Sequence, residues 1–310
     1  MSGVETPRGP GSTPPVERLA VVGLGLLGGS VALAARRRGA AHCVVGATRR
    51  ADVRERALAE GAVDEIAEVD VAARGADLVV LAMPVSAMGD TLRRVAPALG
   101  TGAVVTDVGS VKSPLCDTLP GLLGPGPVYV GSHPMAGSHA KGFDHARADL
   151  FEDAPCVVMG DADPAATERV AEFWRTLGAT VVFREPAEHD AEVAWVSHVP
   201  HLLAFGFAAA LDKAPDGAAA VRGAGFRDFT RIAHGDPELW ADILTGNRKA
   251  LGAPLQAVRR SLERLESALE ADDAEALERL LARARAALAI GHESPTAQEP
   301  GGAQESEETQ

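Results

Sequence analysis

Two groups of residues have the types and spacing to do chemistry on their own account. The first is Gly23-Leu24-Gly25-Leu26-Leu27-Gly28, which directly follows an apolar, strand-like run and opens a helical one. In that setting the glycines permit a tight turn, close approach of the backbone to a pyrophosphate, and close helix–strand packing. The free N–H groups and positive dipole end of the following helix then hold the phosphates. The expected cofactor contacts are Gly23, Gly25, Leu26, Leu27 and Gly28. About 20 residues further on, an NAD enzyme usually places a carboxylate against the ribose hydroxyl. Here stand Thr48, Arg49 and Arg50, a hydroxyl and guanidinium groups that suit a 2′-phosphate, so NADP is favoured over NAD. The second group is His198 and His201, three apart and therefore on one helix face. Pro200 between them is expected to kink that helix, because it removes a donor. His189 and Asp190 lie shortly upstream and raise the question of zinc, but zinc hydrolases space their histidines four apart around a glutamate base. Neither feature is present, and no metal is expected.

These residues need elements to position them. Between Glu17 and about Arg184, short apolar runs alternate with helical patterns: Leu19–Val22, Cys43–Val45, Asp77–Leu81, Ala103–Thr106, Val128–Val130, Cys156–Met159 and Thr180–Phe183. Continuous rather than alternating apolar runs mark strands covered on both faces, as in a parallel sheet. The alternation predicts an α/β, Rossmann-type doubly wound domain over residues 17–185. From Pro186 to Ile290 the pattern is helical, giving an all-helical substrate and dimerisation domain over 186–290. Its end is amphipathic, with Leu262, Leu265, Leu269, Leu277, Leu280 and Leu281 near helical spacing, facing either a dimer partner or this chain's own core. Residues 1–16 and 291–310 lack the apolar spacing that offsets ordering entropy, and read as a disordered lead and an acidic tail.

Composition narrows the class. A chain of 310 residues accommodates about two domains. The net charge of −13 argues against nucleic acid, which needs a basic stripe; the run Arg36-Arg37-Arg38 instead ends a predicted helix, where cations oppose the dipole. Cys43, Cys116 and Cys156 are odd in number and widely spaced, so they read as reduced thiols. The lead has no apolar core resembling a signal peptide, and the apolar runs are too interrupted for a membrane span. A cytoplasmic protein without a membrane partner is expected.

Further segments carry a resemblance. Thr106-Asp107-Val108-Gly109-Ser110-Val111-Lys112, Gly131-Ser132-His133-Pro134-Met135-Ala136-Gly137, His189-Asp190 with Trp195–His201, and Gly225–Ala233 follow the glycine loop in order. Together they resemble the prephenate/arogenate dehydrogenase family of tyrosine biosynthesis. The resemblance implies an active site between the two domains, a homodimer formed through the C-terminal helices, and oxidative decarboxylation of a cyclohexadienol acid. Hydride would pass from the ring to NAD(P)⁺ as carbon dioxide leaves. As the hydride leaves, the ring hydroxyl must lose a proton, which calls for a neutral imidazole within reach. By family match that acceptor is His133, with Ser110 bonded to the same hydroxyl or orienting the imidazole. Arg231, and less directly Arg227, resembles the arginine that receives a substrate carboxylate, for which a guanidinium fork is suited. His198 and His201 are expected to contact substrate or to be structural, and Trp240 and Asn247 to line the site. Lys112 is expected to support a loop or the cofactor rather than to be catalytic. A β-hydroxyacid dehydrogenase and a non-enzymatic NADP sensor are the other readings. Lys213 and Lys249, the only lysines after Pro186, sit in no motif that fits the first.

Overall fold

The computed structural model describes residues 16–137 and 140–290, the side chains of 289 and 290 excepted. The acidic tail and all but the last residue of the expected lead lie outside the described residues. Val16, assigned to that lead, is instead the buried first residue of β1.

The chain runs β1 (Val16–Val22), α1 (Leu26–Arg38), β2 (Ala41–Ala47), α2 (Ala51–Ala59), β3 (Glu65–Ile66), α3 (Val69–Ala73), β4 (Leu78–Leu81), α4 (Val85–Val95), β5 (Val104–Asp107), α5 (Ser113–Thr118) and β6 (Val128–Tyr129). These strands form one six-stranded parallel sheet in the order β3-β2-β1-β4-β5-β6. Its direction of winding reverses between β1 and β4, the crevice where doubly wound sheets bind ligands. Successive residues of each strand feed opposite cores. Leu19, Val21, Leu78 and Val80 pack with Val31 and Ala35 of α1 on one face. Ala20, Val22, Val79 and Leu81 pack with Met88 and Leu92 of α4 on the other. Burial on both faces is why these strands read as unbroken apolar runs. The Arg36-Arg37-Arg38 run does end α1, followed by Gly39 in the left-handed conformation.

The last strands do not extend this sheet, contrary to the expectation of one parallel series. Ser132–Pro134 (β7), Pro155–Met159 (β8) and Thr180–Arg184 (β9) form a second, three-stranded sheet, with α6 (Pro164–Thr176) between β8 and β9. β7 pairs antiparallel with β8, and β8 parallel with β9. The reason is chain length. Only Val130 and Gly131 separate β6 from β7, whereas a parallel neighbour needs a crossover of about a dozen residues.

Helices follow: α7 (Pro186–Val193), a π-helical stretch Ala194–His198, α8 (Val199–Ala210), α9 (Ala224–Thr230), α10 (Pro237–Gly246), α11 (Arg248–Glu270) and α12 (Ala274–Ile290). The expected kink at Pro200 is absorbed differently. The proline occupies the first turn of α8, where its missing donor is tolerated, and the wide π turn precedes it. The continuous helical stretch Pro186–Lys213 is long and apolar enough to cross a membrane by length and composition, which the sequence reading had not anticipated. It nevertheless carries buried His189, Asp190 and His198, all hydrogen-bonded to neighbouring elements of the fold.

By compactness the chain divides after Pro254. The second unit holds the remainder of α11 and α12. Within it Ala268 is buried, but Leu262, Leu269 and Leu281 are 55%, 64% and 55% exposed, so this unit does not itself bury them.

One buried ion pair joins the two sheets. Asp107, the last residue of β5, accepts from the ammonium of Lys112, the Gly109 N–H (2.8 Å), the Tyr129 hydroxyl (2.8 Å) and the Ser132 N–H (3.1 Å). Lys112 donates also to the Ser132 carbonyl (2.7 Å), and both charged side chains are 0% exposed. The Ser132 hydroxyl donates to the Asp107 carbonyl and receives the Trp174 indole N–H. Lys112 is thus a loop-supporting charge, the structural one of its expected roles. Lys112→Met would leave Asp107 buried and uncompensated, at a cost of about 3–5 kcal/mol. Urea unfolding should show this as a lower midpoint with an unchanged slope; a loss below about 1 kcal/mol would mean the pair does not hold the sheets together.

Candidate active site

The glycine loop lies at the carboxyl edge of the sheet, between β1 and α1. Gly23 has φ +98°, and a Cβ there would stand 2.3 Å from the Ala82 carbonyl oxygen that follows β4. A Cβ on Gly28 would stand 1.8 Å from the Gly23 carbonyl oxygen. Both positions require glycine for packing. Gly25 differs, because a Cβ there meets nothing within 4 Å. The open space above Gly25 adjoins the first turn of α1, which has neither a side-chain cap nor an acidic residue. A dinucleotide pyrophosphate fits that cradle, where uncapped N–H groups and the helix dipole favour an anion.

At the end of β2 the three residues expected near the ribose are placed unequally. Thr48 is half-buried; its carbonyl accepts from Arg54 (2.7 Å) and its hydroxyl from the Arg50 N–H (3.4 Å). Arg50 is ion-paired with Asp52 at 2.5 Å, so part of its charge is answered within the chain. Arg49 is exposed.

His133 lies in β7, not in a turn, and is 8% exposed. Its Nδ1 is 2.8 Å from Nε2 of His189 in α7, and Nδ1 of His189 is 2.9 Å from the Asp190 carboxylate. Asp190 also accepts the N–H groups of Lys112 and Ser113, each at 2.8 Å, at the start of α5. The Asp190 carbonyl accepts from Asn247, whose amide also meets Nδ1 of His198 at 2.9 Å. His133, His189, Asp190, Asn247 and His198 are therefore one connected, buried polar group. Ser110 sits half-buried on the loop that Asp107 and Lys112 hold between β5 and α5.

β1, β4 and β5 run parallel in register, with Val22 beside Leu81 and Leu81 beside Asp107. The glycine loop after β1 and the Ser110 loop after β5 consequently leave the same edge of the sheet. Lys112 and Ser132 tie that edge to His133.

Two of the other expected substrate residues, His198 and His201, meet at Trp240. His201 stacks on its indole with ring centroids 3.7 Å apart, and His198 meets it edge-on at 6.2 Å. Trp240 is thus half-buried against the histidines rather than a core residue. Arg231 is exposed and near enough to His201 to act on its charge. Arg227 is exposed and donates to the Arg222 carbonyl at 3.2 Å; it is bonded neither to Asp228 nor to Asp236, which pairs with Lys141. Sequence reasoning missed the partnership of His189 with His133. The adjacent His189-Asp190 pair was visible, but nothing in a linear reading brings it to a histidine 56 residues away.

Electrostatics follow from burial. It holds the His133 imidazole well below its ordinary pKa, reinforced by charge on His189, Lys112 and His198. Burial also brings His198 down to about 4, although Asp190 opposes the shift. Burial alone would raise Asp190, yet hydrogen bonds from His189, Lys112 and Ser113 hold it below the usual carboxylate range. His133 and His198 are therefore neutral and Asp190 anionic near pH 7. A histidine whose folded pKa is depressed contributes stability that is full above its unfolded value near 6.5 and is lost as pH falls toward the folded value. Thermal midpoints should drop between pH 6.5 and 4, and the pH slope should flatten in His198→Gln, which cannot charge. Equal slopes in both proteins would show that His198 is not buried neutral.

Comparison with known proteins agrees with this geometry. Residues 31–183 match the family described as prephenate dehydrogenase, nucleotide-binding domain, and residues 185–283 the prephenate dehydrogenase, dimerization domain. The chain is 35% identical to the cyclohexadienyl dehydrogenase of Zymomonas mobilis, over 84% of this chain and 91% of that one. It is 30% identical to the prephenate dehydrogenase of Bacillus subtilis, over 87% of this chain and 74% of that one. A prephenate dehydrogenase from A. aeolicus, solved with hydroxyphenyl propionate and NAD⁺, superposes with a TM-score of 0.82 at 28% identity, covering 88% of this chain and 98% of that one. The Synechocystis arogenate dehydrogenase superposes with a TM-score of 0.75 at 32% identity, covering 88% and 99%. With its glycine cradle, its buried histidine chain and these matches along most of its length, the chain belongs to the prephenate dehydrogenase family.

Proposed function

We propose that the chain is an NAD(P)-dependent dehydrogenase that oxidatively decarboxylates prephenate to 4-hydroxyphenylpyruvate in tyrosine biosynthesis. The observation that carries this is His133, a buried neutral imidazole whose Nδ1 is engaged by His189, so that Nε2 is the atom left to accept a proton. Gly23, Gly25, Leu26, Leu27 and Gly28 would hold the cofactor, which when bound supplies the hydride acceptor. His133 takes the proton of the ring hydroxyl at Nε2, and Ser110, on the neighbouring loop, steadies that hydroxyl. Arg231 receives a substrate carboxylate, aided by His201, while the edge of Trp240 and His198 limit access of water. Arg227 has the weaker claim, because its guanidinium is partly engaged.

NADP is the cofactor favoured by Thr48, Arg49 and Arg50, chiefly by Arg49, since Arg50 is shared with Asp52. We assign residues 17–185 to dinucleotide binding and 186–290 to substrate and dimer contacts. The homodimer would form through the C-terminal helices, whose exposed leucines require a cover. A cytoplasmic location and the absence of membrane or nucleic-acid partners belong to the same reading. A second reading, arogenate as substrate, is supported by the likeness to the Synechocystis arogenate dehydrogenase.

A four-way assay tests the function: prephenate and arogenate, each with NAD⁺ and NADP⁺, followed at 340 nm and compared by kcat/KM. The expected result is turnover with prephenate, better with NADP⁺. No absorbance rise in any of the four would remove the reading. Arg231→Met should raise KM for substrate by about 10-fold to 10²-fold, as loss of a charge-assisted bond worth about 1.5–3 kcal/mol implies; an unchanged KM would reassign the carboxylate partner.

A further inference from the structure

His133 faces two opposing demands. It must be neutral to accept a proton, and burial secures that; but the same burial penalises the imidazolium that acceptance creates. The structure places a second imidazole and a carboxylate in line behind it. Asp190 can only accept at its carboxylate, and it already does so from the N–H groups of Lys112 and Ser113. Its contact with Nδ1 of His189 therefore requires the proton on that nitrogen. With its single ring proton on Nδ1, His189 presents a lone pair at Nε2, and the 2.8 Å contact with His133 then requires the proton on Nδ1 of His133. Nε2 of His133 is left unprotonated. The tautomer of the acceptor is thus set two residues away, at Asp190.

We propose that His189 and Asp190 are positioning residues that lock His133 as the Nδ1–H tautomer and draw the incoming positive charge away from it. The proposal rests on His133 being the proton acceptor. The proton balance is simple. The O–H bond of the substrate breaks with its electron pair left on oxygen, and a bond forms at Nε2 of His133. The proton on Nδ1 of His133 passes to Nε2 of His189. His133 ends neutral, and His189 ends as an imidazolium beside the Asp190 carboxylate, the anion bonded to it among the described residues. The charge comes to rest where an opposite charge stabilises it.

The groups facing this pair come from several elements. Burial and the ammonium of Lys112 before α5 disfavour a positive charge on His133, and His198 in the π stretch, neutral near pH 7, adds no opposing anion. Asp190 on α7 favours one on His189. Transfer from His133 to His189 thus moves the charge from an unfavourable to a favourable position. Asn247 spans the Asp190 carbonyl and Nδ1 of His198, so that His198 keeps its proton on Nε2 and is a donor where His133 is an acceptor.

The test begins with the resting wild-type protein, labelled with ¹⁵N-histidine, by long-range ¹H–¹⁵N NMR at pH 7.5. His133 is expected protonated at Nδ1 and unprotonated at Nε2, with its signals identified from the His133→Asn spectrum. A proton on Nε2 instead would overturn the proposal, whatever the enzyme's substrate. Failure of the wild type to turn over prephenate would overturn only the functional reading. Two variants then separate tautomer from charge. His189→Gln retains an acceptor for the His133 N–H but cannot take its proton, and should lose about 10-fold in kcat with little change in KM. His189→Leu removes both, and should lose about 10²–10³-fold in kcat. In the leucine variant the acid limb of kcat/KM should also move, because the titration then belongs to His133 alone rather than to the pair. Variants that lose thermal stability but keep the wild-type pH profile and the same kcat would show that His189 only fills space.

Discussion

The buried ion pair of Asp107 with Lys112 is the constraint on which the rest of this molecule depends. A carboxylate removed from water is costly unless its oxygens are answered, and here they are answered by an ammonium, a hydroxyl and two backbone N–H groups. Each of those partners belongs to a segment the site needs. Gly109 and Lys112 define the loop that carries Ser110, Tyr129 ends β6, and Ser132 begins the strand that carries His133. One charge pair therefore fixes, in a single geometry, parts of the chain that a shift of about 1 Å would make useless for proton transfer.

A second carboxylate extends the same logic to the helical part. Asp190 reaches from α7 to the first turn of α5 through two backbone N–H groups, and so ties the helices to the loop already held by Asp107. The neutral imidazoles of His133 and His198 are buried beside this scaffold, joined to it through His189, Asp190 and Asn247. Strong electrostatics in such a site act on protonation as well as on stability: they decide which nitrogen carries a proton, and where a charge can rest. The cofactor cradle is simpler by comparison. It is built from backbone alone, by glycines at Gly23 and Gly28 where a Cβ would collide and by one at Gly25 where a Cβ would meet open space.

Much of this was legible in the sequence, for reasons of physics. The parallel strands declared themselves as unbroken apolar runs because both faces are buried, and the glycine loop because backbone approach to an anion admits few alternatives. β7 was hidden because Ser132-His133-Pro134 is a short polar strand whose burial comes from hydrogen bonds rather than hydrophobicity. Its departure into a second sheet was hidden too, since only the brevity of the link after β6 reveals it. The roles of Lys112, His189 and Asn247 depend on partners distant in the chain, which composition and periodicity do not encode. Arg231 was named from resemblance and His201 from its spacing with His198; the stacking of His201 on Trp240 became visible only in three dimensions.

The claim at the centre is that a neutral His133 receives the substrate proton in a site otherwise able to bind its nucleotide. The most direct measurement is turnover of His133→Asn alongside its affinity for NAD⁺ and NADP⁺, the latter read by calorimetry. The asparagine keeps a polar group but has no basic nitrogen. Expected is a fall in kcat of about 10²–10⁴-fold with nucleotide affinity within about threefold of wild type. A variant that binds nucleotide normally and turns over at close to the wild-type rate would contradict the claim outright.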